Sequence, residues 1–399
     1  MNRPSRGSAA EVFATFLRLG LTSFGGPVAH LAYFRRELVQ RRAWLTEAQF
    51  AELLGLCQFL PGPASSQMGF SVGLLRAGWT GAFAAFLAFT LPAVLLLYAF
   101  AMLLPDVPRH AADVLVHGLK LVAVAVVAHG LLGMGRQLCP DAQRMGIAVA
   151  SAFAILAFGS AWMQLGVVAA GAVAGLVLCR RVAAVASEAP ALPHGRRSGI
   201  ALLAIYAGLL VALPVAASVF GGRIAVISGF YRAGALVFGR GHVVLPLLQE
   251  TVVQPGWISR DAVLAGYGAA QAVPGPMFTL ASYLGARLGD GLGGPAGAAS
   301  AVIAIFLPGL LLVAAALPLW RAISRRPGAA HAVAGINAAV VGLLAAALYD
   351  PVWTSAVHSA ADVAIALVGF AILAAWRASA LWVVGWCVAA SVASTWLLR

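Results

Sequence analysis

The sequence predicts an all-α polytopic membrane protein built from two tandem copies of one unit, each interrupted by a broken helix. Three observations predict it. Hydrophobic residues make up 62% of the 399 residues and charged residues 10%, with a mean hydropathy of +0.92, whereas a soluble domain carries about 25% charged residues. Many windows reach the roughly 20 apolar residues that cross a bilayer. The triplet Pro-Gly-Pro occurs twice inside such windows, in Gln58-Phe59-Leu60-Pro61-Gly62-Pro63 and Gln271-Ala272-Val273-Pro274-Gly275-Pro276. A proline lacks a backbone donor and clashes with the preceding turn, so two of them around a glycine break a helix. At membrane depth the freed peptide groups are tolerated only where protein or a watery cavity receives them.

The duplication extends well beyond the triplet. Phe16-Leu17-Arg18-Leu19-Gly20 matches Phe230-Tyr231-Arg232-Ala233-Gly234, and Phe24-Gly25 matches Phe238-Gly239, 214 residues later. Trp44-Leu45-Thr46 matches Trp257-Ile258-Ser259, and Gln58 matches Gln271, 213 residues later. Gly73, Arg76 and Pro92 pair with Gly285, Arg287 and Pro308. The expected organisation is a first repeat over 1–179, a basic linker with a connecting helix over 180–222, and a second repeat over 223–399.

Each repeat follows one plan. A glycine-interrupted apolar segment (Val12–Phe34; Ile224–Leu248) leads through a Trp-containing loop into the Pro-Gly-Pro segment (Phe50–Leu75; Ala262–Leu288). Two long apolar helices follow, Trp79–Leu104 and Val114–Met134 in the first repeat, Ala296–Trp320 and Ala330–Tyr349 in the second. Two apolar stretches close each copy: Met145–Gly159 with Trp162–Cys179, and Ala356–Trp376 with Ala380–Leu398. Gly199–Phe220 is the connecting helix, giving about 10–13 spans in all. Met1–Ala10 is polar and no compact apolar core with a cleavage site follows, so the first hydrophobic segment is expected to stay in the protein.

Charge bias suggests that the repeats are inverted. Loop Arg35–Trp44 carries Arg35, Arg36, Arg41 and Arg42 while its counterpart around Glu250–Asp261 is nearly neutral; after the third segment the bias reverses, with Arg321, Arg325 and Arg326 in the second half against only Arg109 beside Asp106 in the first. Opposite bias at equivalent loops is the signature of inverted halves. A thirteen-span count nevertheless puts the linker arginines Arg180, Arg181, Arg196 and Arg197 opposite Arg35–Trp44, and re-entrant Pro-Gly-Pro segments would make the halves parallel. Both arrangements stay open at this level.

The breaks are the first candidate site. A half-helix restarting near Ala64-Ser65-Ser66 has first-turn N–H groups without intrahelical acceptors and a positive dipole end, which suits an anion. Ser65 and Ser66 add hydroxyl donors, Met277-Phe278-Thr279 occupies the equivalent place, and Gln58 and Gln271 stand just before each break. Two facing half-helix starts would cradle one small anion. A kink that only lets helices pack is the plainer reading of a single Pro-Gly-Pro; the repetition, each copy with its glutamine, favours a site.

The first segments supply the second signal. Ser23-Phe24-Gly25-Gly26-Pro27-Val28-Ala29-His30 and Val237-Phe238-Gly239-Arg240-Gly241-His242 break apolar runs with glycines, which serve close approach to a neighbouring helix or to a ligand. Arg18 and Arg232 are equivalent cations in apolar segments, where an uncompensated charge costs at least about 2.5 kcal/mol; substrate duty and snorkelling to the interface are both open. Arg240 aligns with Gly26 in the first repeat, so its charge has no duplicate. Glu52 is the coupling candidate, without a duplicate because Ala265 stands in its place, and Asp362 is the other acid in an apolar segment. An imidazole ordinarily titrates in the physiological range, which makes His30 and His242 candidates for proton binding, although a lone membrane histidine more commonly has a structural role.

Several classes fall away. Net charge is +13, with Lys120 the only lysine; most arginines are explained by topology, and no basic domain stands apart for nucleic acid. Cys57, Cys139, Cys179 and Cys387 lie far apart, so neither a zinc site nor a disulfide framework is indicated. No Walker-type phosphate loop is present, no cofactor or metal is expected, and the protein is not expected to be an enzyme. The out-of-class rival, an enzyme acting on a lipid phosphate, would need clustered carboxylates or a nucleophile beside a base, which the scattered acids do not provide.

Phe24-Gly25-Gly26-Pro27-Val28-Ala29-His30, the Trp44-Leu45-Thr46 loop and the two Gln…Pro-Gly-Pro motifs resemble the chromate transporter family, over nearly the whole chain and in its long two-domain form. The resemblance implies a multi-pass bacterial inner-membrane protein that exports chromate and confers resistance, with sulfate competing or exchanging. The second repeat departs from the motif at Phe238-Gly239-Arg240-Gly241-His242, which puts equal roles for the halves in doubt. Alternatives are a sulfate or other small-oxyanion permease and a passive anion channel. Expected partners are the oxyanion and the lipid bilayer, and the sequence is compatible with a homodimer. Arg18→Ala or Pro61→Ala should weaken transport without preventing insertion.

Overall fold

The computed structural model describes residues 7–23, 30–31, 33–158, 161–180, 195–237, 244–320, 327–376 and 378–397. These residues form helices and turns and no strand. The first repeat contains α1 (Ala9–Thr22), α2 (Glu47–Phe59), α3 (Ala64–Leu103), α4 (Arg109–Leu138), α5 (Ala142–Phe158) and α6 (Ala161–Leu178). The connecting helix is α7 (Arg196–Phe220). The second repeat contains α8 (Gly222–Leu236), α9 (Val244–Val253), α10 (Arg260–Ala272), α11 (Leu280–Ala286), α12 (Gly294–Ala316), α13 (Pro327–Ala347), α14 (Ala360–Ala374) and α15 (Ala380–Leu397). Among the described residues, five helical stretches have the length and apolarity to cross a membrane: Ala64–Leu103, Ala111–Leu138, Arg196–Phe220, Gly294–Leu319 and Gly328–Ala356. The chain is a duplicated polytopic membrane protein.

One expectation is corrected here. The first helix, α1, stops at Thr22, ahead of the glycines that interrupt the first apolar segment, but the stretch Arg35–Trp44, read as a loop, begins as a π-helix over Arg35–Arg41. Three of its arginines are paired: Arg35 meets Glu47, and Glu37 accepts from Arg41 and Arg42. Burial works against the Glu37 carboxylate, but those two guanidinium partners outweigh it and hold its pKa below the usual carboxylate value.

The repeated Trp loops have a local explanation. Thr46 caps α2 in a reciprocal capping box with Gln49, and Ser259 caps α10 by accepting from the Ala262 N–H. The Trp-x-Thr/Ser signature therefore marks a helix start. Trp44 is also contacted by two cations, with the Arg42 and Arg76 guanidinium carbons 5.3 and 5.0 Å from its ring centre.

The chain packs as two compact units, each taking segments from both repeats. Met1–Tyr98, Val185–Gly241 and Pro274–Arg325 form the first, and Ala99–Ala184, His242–Val273 and Arg326–Arg399 the second. In the second unit the repeats exchange partners: α5 and α6 pack on α13, while α14 and α15 pack on α4. Small residues allow the approach, with Gly335 against Gly171 and Gly175, and Gly118 against the Val388 backbone. In the first unit α8 packs on α7 and α12.

Within the first unit α3 is a hairpin rather than a rod. Ala77 and Gly78 leave helical geometry, Gly78 with φ +67, and a side chain on Gly73 would lie 2.3 Å from the Gly81 carbonyl. Gly285 and Gly297 repeat this contact at 2.4 Å. The turn separates a short limb starting at Ala64 from the long apolar limb of Trp79–Leu103.

Candidate functional site at the paired breaks

Both Pro-Gly-Pro triplets interrupt the helix, as their chemistry demands. Gly62 has φ +116 and Gly275 φ +118, a region that favours glycine. Each glycine N–H is then taken up by the other repeat. Gly62 donates to the Val237 carbonyl at 2.7 Å, and Gly275 donates to the Ser23 carbonyl at 3.1 Å. Ser23 and Val237 are themselves equivalent: each is the residue at which the first helix of its repeat, α1 or α8, ends in extended geometry. The pair of bonds is therefore reciprocal, as an isologous two-fold contact is.

The surrounding packing follows the same symmetry. A side chain at Gly62 would sit 3.0 Å from the Gly309 Cα, and one at Gly275 would sit 3.0 Å from the Ala93 Cβ, the residues after Pro308 and Pro92. Gly20 lies against the Ala88 and Phe89 carbonyls, and Gly234 against that of Ile305. These glycines permit backbone contact that any side chain would block.

Around this common frame the polar groups differ. At the first break Pro61, Gly62, Pro63, Ser65 and Ser66 are buried. Gln67, fully buried, donates its Nε2 hydrogens to the Pro61 carbonyl at 2.8 Å and the Gly309 carbonyl at 3.0 Å. Two carbonyl acceptors fix which end of the amide is nitrogen. The opposite atom, Gln67 Oε1, and the Ser66 Oγ are buried without a hydrogen-bond partner. The helix restarts here with the Gln67 N–H donating to the Pro63 carbonyl at 2.9 Å. The amides of Ala64, Ser65 and Ser66 thus precede the first intrahelical bond, where the dipole is positive.

The second break does not repeat that helix start, which corrects the expectation of two facing half-helices. Pro276 is followed by a 3-10 turn over Met277–Thr279 and then the short α11. The Thr279 hydroxyl donates back to the Pro276 carbonyl at 2.7 Å, so its proton is already used. Leu280 occupies the position equivalent to Gln67. What this break has instead is His30, whose ring Nε2 lies 3.1 Å from the Ser23 carbonyl that also receives Gly275. The ring stands edge-on to Phe89 at 5.5 Å. His30 Nδ1 and Ser23 Oγ are buried and unpartnered.

The remaining expected residues scatter. Arg18 lies on the exposed face of α1, away from the buried stripe of Val12, Thr15, Phe16 and Leu19, and Arg232 is half-buried; neither joins the buried polar groups described above. Gln58 is half-buried, while Gln271 is buried and hydrogen-bonded to Tyr267. Pro274 and Pro276 are buried beside Gly275, and Glu52 is buried in α2. Gly25, Gly26, Pro27, Gly239, Arg240 and His242 lie outside the described residues. All four cysteines are buried and free.

Sequence reasoning missed Gln67, Gly309 and the capping role of Ser23 and Val237. A lone glutamine in an apolar run six residues past Pro61 was the available signal for the first. Nothing local announces the others, because their partners lie in the opposite repeat.

The family model for the chromate transporter matches residues 10–176 and 224–392, one match per repeat. A chromate transport protein of Pseudomonas aeruginosa is 29% identical over 93% of this chain and 88% of its own. A probable chromate transport protein of Synechococcus elongatus is 28% identical, over 86% of this chain and 84% of its own. An uncharacterized transporter of Methanocaldococcus jannaschii is 24% identical over 87% and 85%. No solved structure matches the chain.

Proposed function

The chain belongs to the chromate transporter family, as a multi-pass bacterial membrane protein, and we propose that it is a secondary transporter exporting chromate, in exchange for sulfate or protons. The observation that carries the reading is the reciprocal capping of Gly62 by Val237 and of Gly275 by Ser23. It removes the backbone cost of two breaks while leaving the start of α3 uncapped. A tetrahedral oxyanion would be held there by the first-turn amides, with Ser65 and Ser66 as hydroxyl donors and Gln67 fixing the turn.

Exchange of partners between repeats also suits alternating access. Bonds that join equivalent points of the two repeats can be broken on one side and kept on the other. Inverted repeats would turn that asymmetry into inward and outward openings. Chromate and sulfate share charge and shape, so an amide-lined site would take both.

The test is radiotracer chromate flux in proteoliposomes under imposed sulfate and proton gradients. Saturable flux that sulfate competes, and that a gradient drives uphill, is the expected result. Flux that never exceeds the electrochemical gradient would assign a passive channel. Flux no greater than in protein-free vesicles would refute transport of chromate.

A further inference from the structure

A second polar cluster lies in the other compact unit, far in sequence from the breaks, and the transport reading above leaves it unused. His117 of α4 places Nε2 2.7 Å from the Asp362 Oδ1 of α14. Asp362 is buried, yet its other oxygen, Oδ2, accepts from the His358 N–H at 3.0 Å, the Ser359 N–H at 2.9 Å and the Ser359 hydroxyl at 3.0 Å. Three donors on one oxygen make Asp362 a carboxylate acceptor, so the His117 Nε2 carries the hydrogen. The His358 ring lies over that of His117 with centres 6.3 Å apart and planes 24° from parallel.

Capping α14 needs only Oδ2. Oδ1 is left for an imidazole from another helix, inside the candidate span Ala111–Leu138. Ionisable groups within an apolar span are kept rarely and most commonly for proton or ion pathways. One turn further along α4, Lys120, nearly buried and the only lysine in the chain, binds the Asp261 carboxylate at 3.1 Å. Asp261 starts α10, the helix that runs into the second break. A charge gained at His117 is thus one helical turn from the ion pair that anchors that helix.

We propose that His117 and Asp362, with His358 stacked beside them, form the proton-binding site through which transport is coupled to pH; the proposal rests on the transport reading. The incoming proton binds at His117 Nδ1, because Nε2–H stays on Asp362, and the result is an imidazolium–carboxylate pair. The other titratable groups described on these elements are Asp113, Lys120, His129 and Arg136 on α4, Arg260, Asp261 and Tyr267 on α10, and Tyr349, Asp350 and His358 before α14. Arg260 and Asp350 are paired at 3.4 Å, as are Lys120 and Asp261. The α13 and α15 helices bring His331 and Cys387. Of these, His117 is the imidazole joined to a buried carboxylate.

The test compares wild type with His117→Gln and Asp362→Asn in proteoliposomes, measuring radiochromate flux driven by a pH step and, separately, chromate–chromate exchange. Glutamine retains an N–H for Asp362 but cannot titrate near neutrality. The expected result is that both variants lose the pH-driven component in far greater proportion than exchange. A pH response equal to that of wild type in His117→Gln would overturn the proposal. So would wild-type exchange with no response to a pH step, which leaves the transport reading standing; absence of wild-type exchange would remove both. As a measurement that needs no variant, adding sodium chromate adjusted beforehand to the sample's pH to detergent-solubilised wild type in weak buffer should change the signal of a pH indicator beyond the change in protein-free buffer. No proton uptake or release at any pH between 5.5 and 8, the range in which imidazole titrates, would likewise overturn it.

Discussion

The two Pro-Gly-Pro turns share a backbone and differ in what the backbone serves. Gly62 and Gly275 have nearly the same φ, and each donates to the terminal residue of the opposite repeat's first helix. Beyond the turns the first leads into a helix start with buried, unpartnered Ser66 and Gln67 atoms, while the second leads into a 3-10 turn closed by its own Thr279. A duplicated chain keeps the frame because both copies need it. The side chains are free to diverge, since one uncapped helix start suffices for one anion.

The strongest way to break the comparison is to attack what the copies share. Gly62→Ala and Gly275→Ala each force a side chain into strained backbone, at about 1–3 kcal/mol, and against a neighbour 3.0 Å away. Both should lower chromate flux about ten- to hundredfold by similar amounts, measured in proteoliposomes normalised to inserted protein. A large loss for one and none for the other would mean that the reciprocal bonds are not equivalent in function.

The next experiments sharpen the difference. Gln67→Leu gives the first break the residue that the second has at Leu280, and strands the Pro61 and Gly309 carbonyls at about 1–3 kcal/mol each. Flux should fall at least about tenfold while the protein still inserts. Unchanged flux would remove Gln67 from the site. Ser66→Ala should raise the chromate concentration for half-maximal flux by about two- to tenfold, as loss of one hydrogen bond does. Thr279→Val, which removes a hydroxyl already engaged with Pro276, should leave that concentration unchanged and lower thermal stability slightly. An equal effect on substrate would restore the symmetric cradle.

The smallest effects are expected at the arginines. Arg18→Ala removes an exposed charge and should change stability by no more than about 0.5 kcal/mol. Its flux should stay above that of Gln67→Leu, and a deeper loss at Arg18 would point to a surface role in gathering anions.

Much of this was legible before any coordinates. The glycine of a Pro-Gly-Pro must break a helix wherever it stands, and Thr46 and Ser259 announce helix starts by local chemistry. The cysteines were readable as packing residues. Arg18 was harder, because two equivalent cations in apolar segments look costly until the phase of α1 shows one of them on the outer face. Met277-Phe278-Thr279 was misjudged for a related reason. Whether a chain restarts as an α-helix or a 3-10 turn depends on whether a backbone N–H reaches back four residues or three; here the Thr279 N–H goes to the Pro276 carbonyl at 3.0 Å, and composition does not settle that.

The sequence by itself determined the membrane class, the duplication and the location of both breaks, since hydropathy, repetition and proline chemistry act over short stretches of chain. Tertiary structure alone decided which carbonyls receive the freed glycine N–H groups, that Gln67 spans to Gly309 242 residues away, and that His117 meets Asp362 across 245 residues. The physical reason is that a hydrogen bond has a reach of about 3 Å, so its partners are fixed by how helices from opposite repeats pack and by the phase at which each presents its side chains.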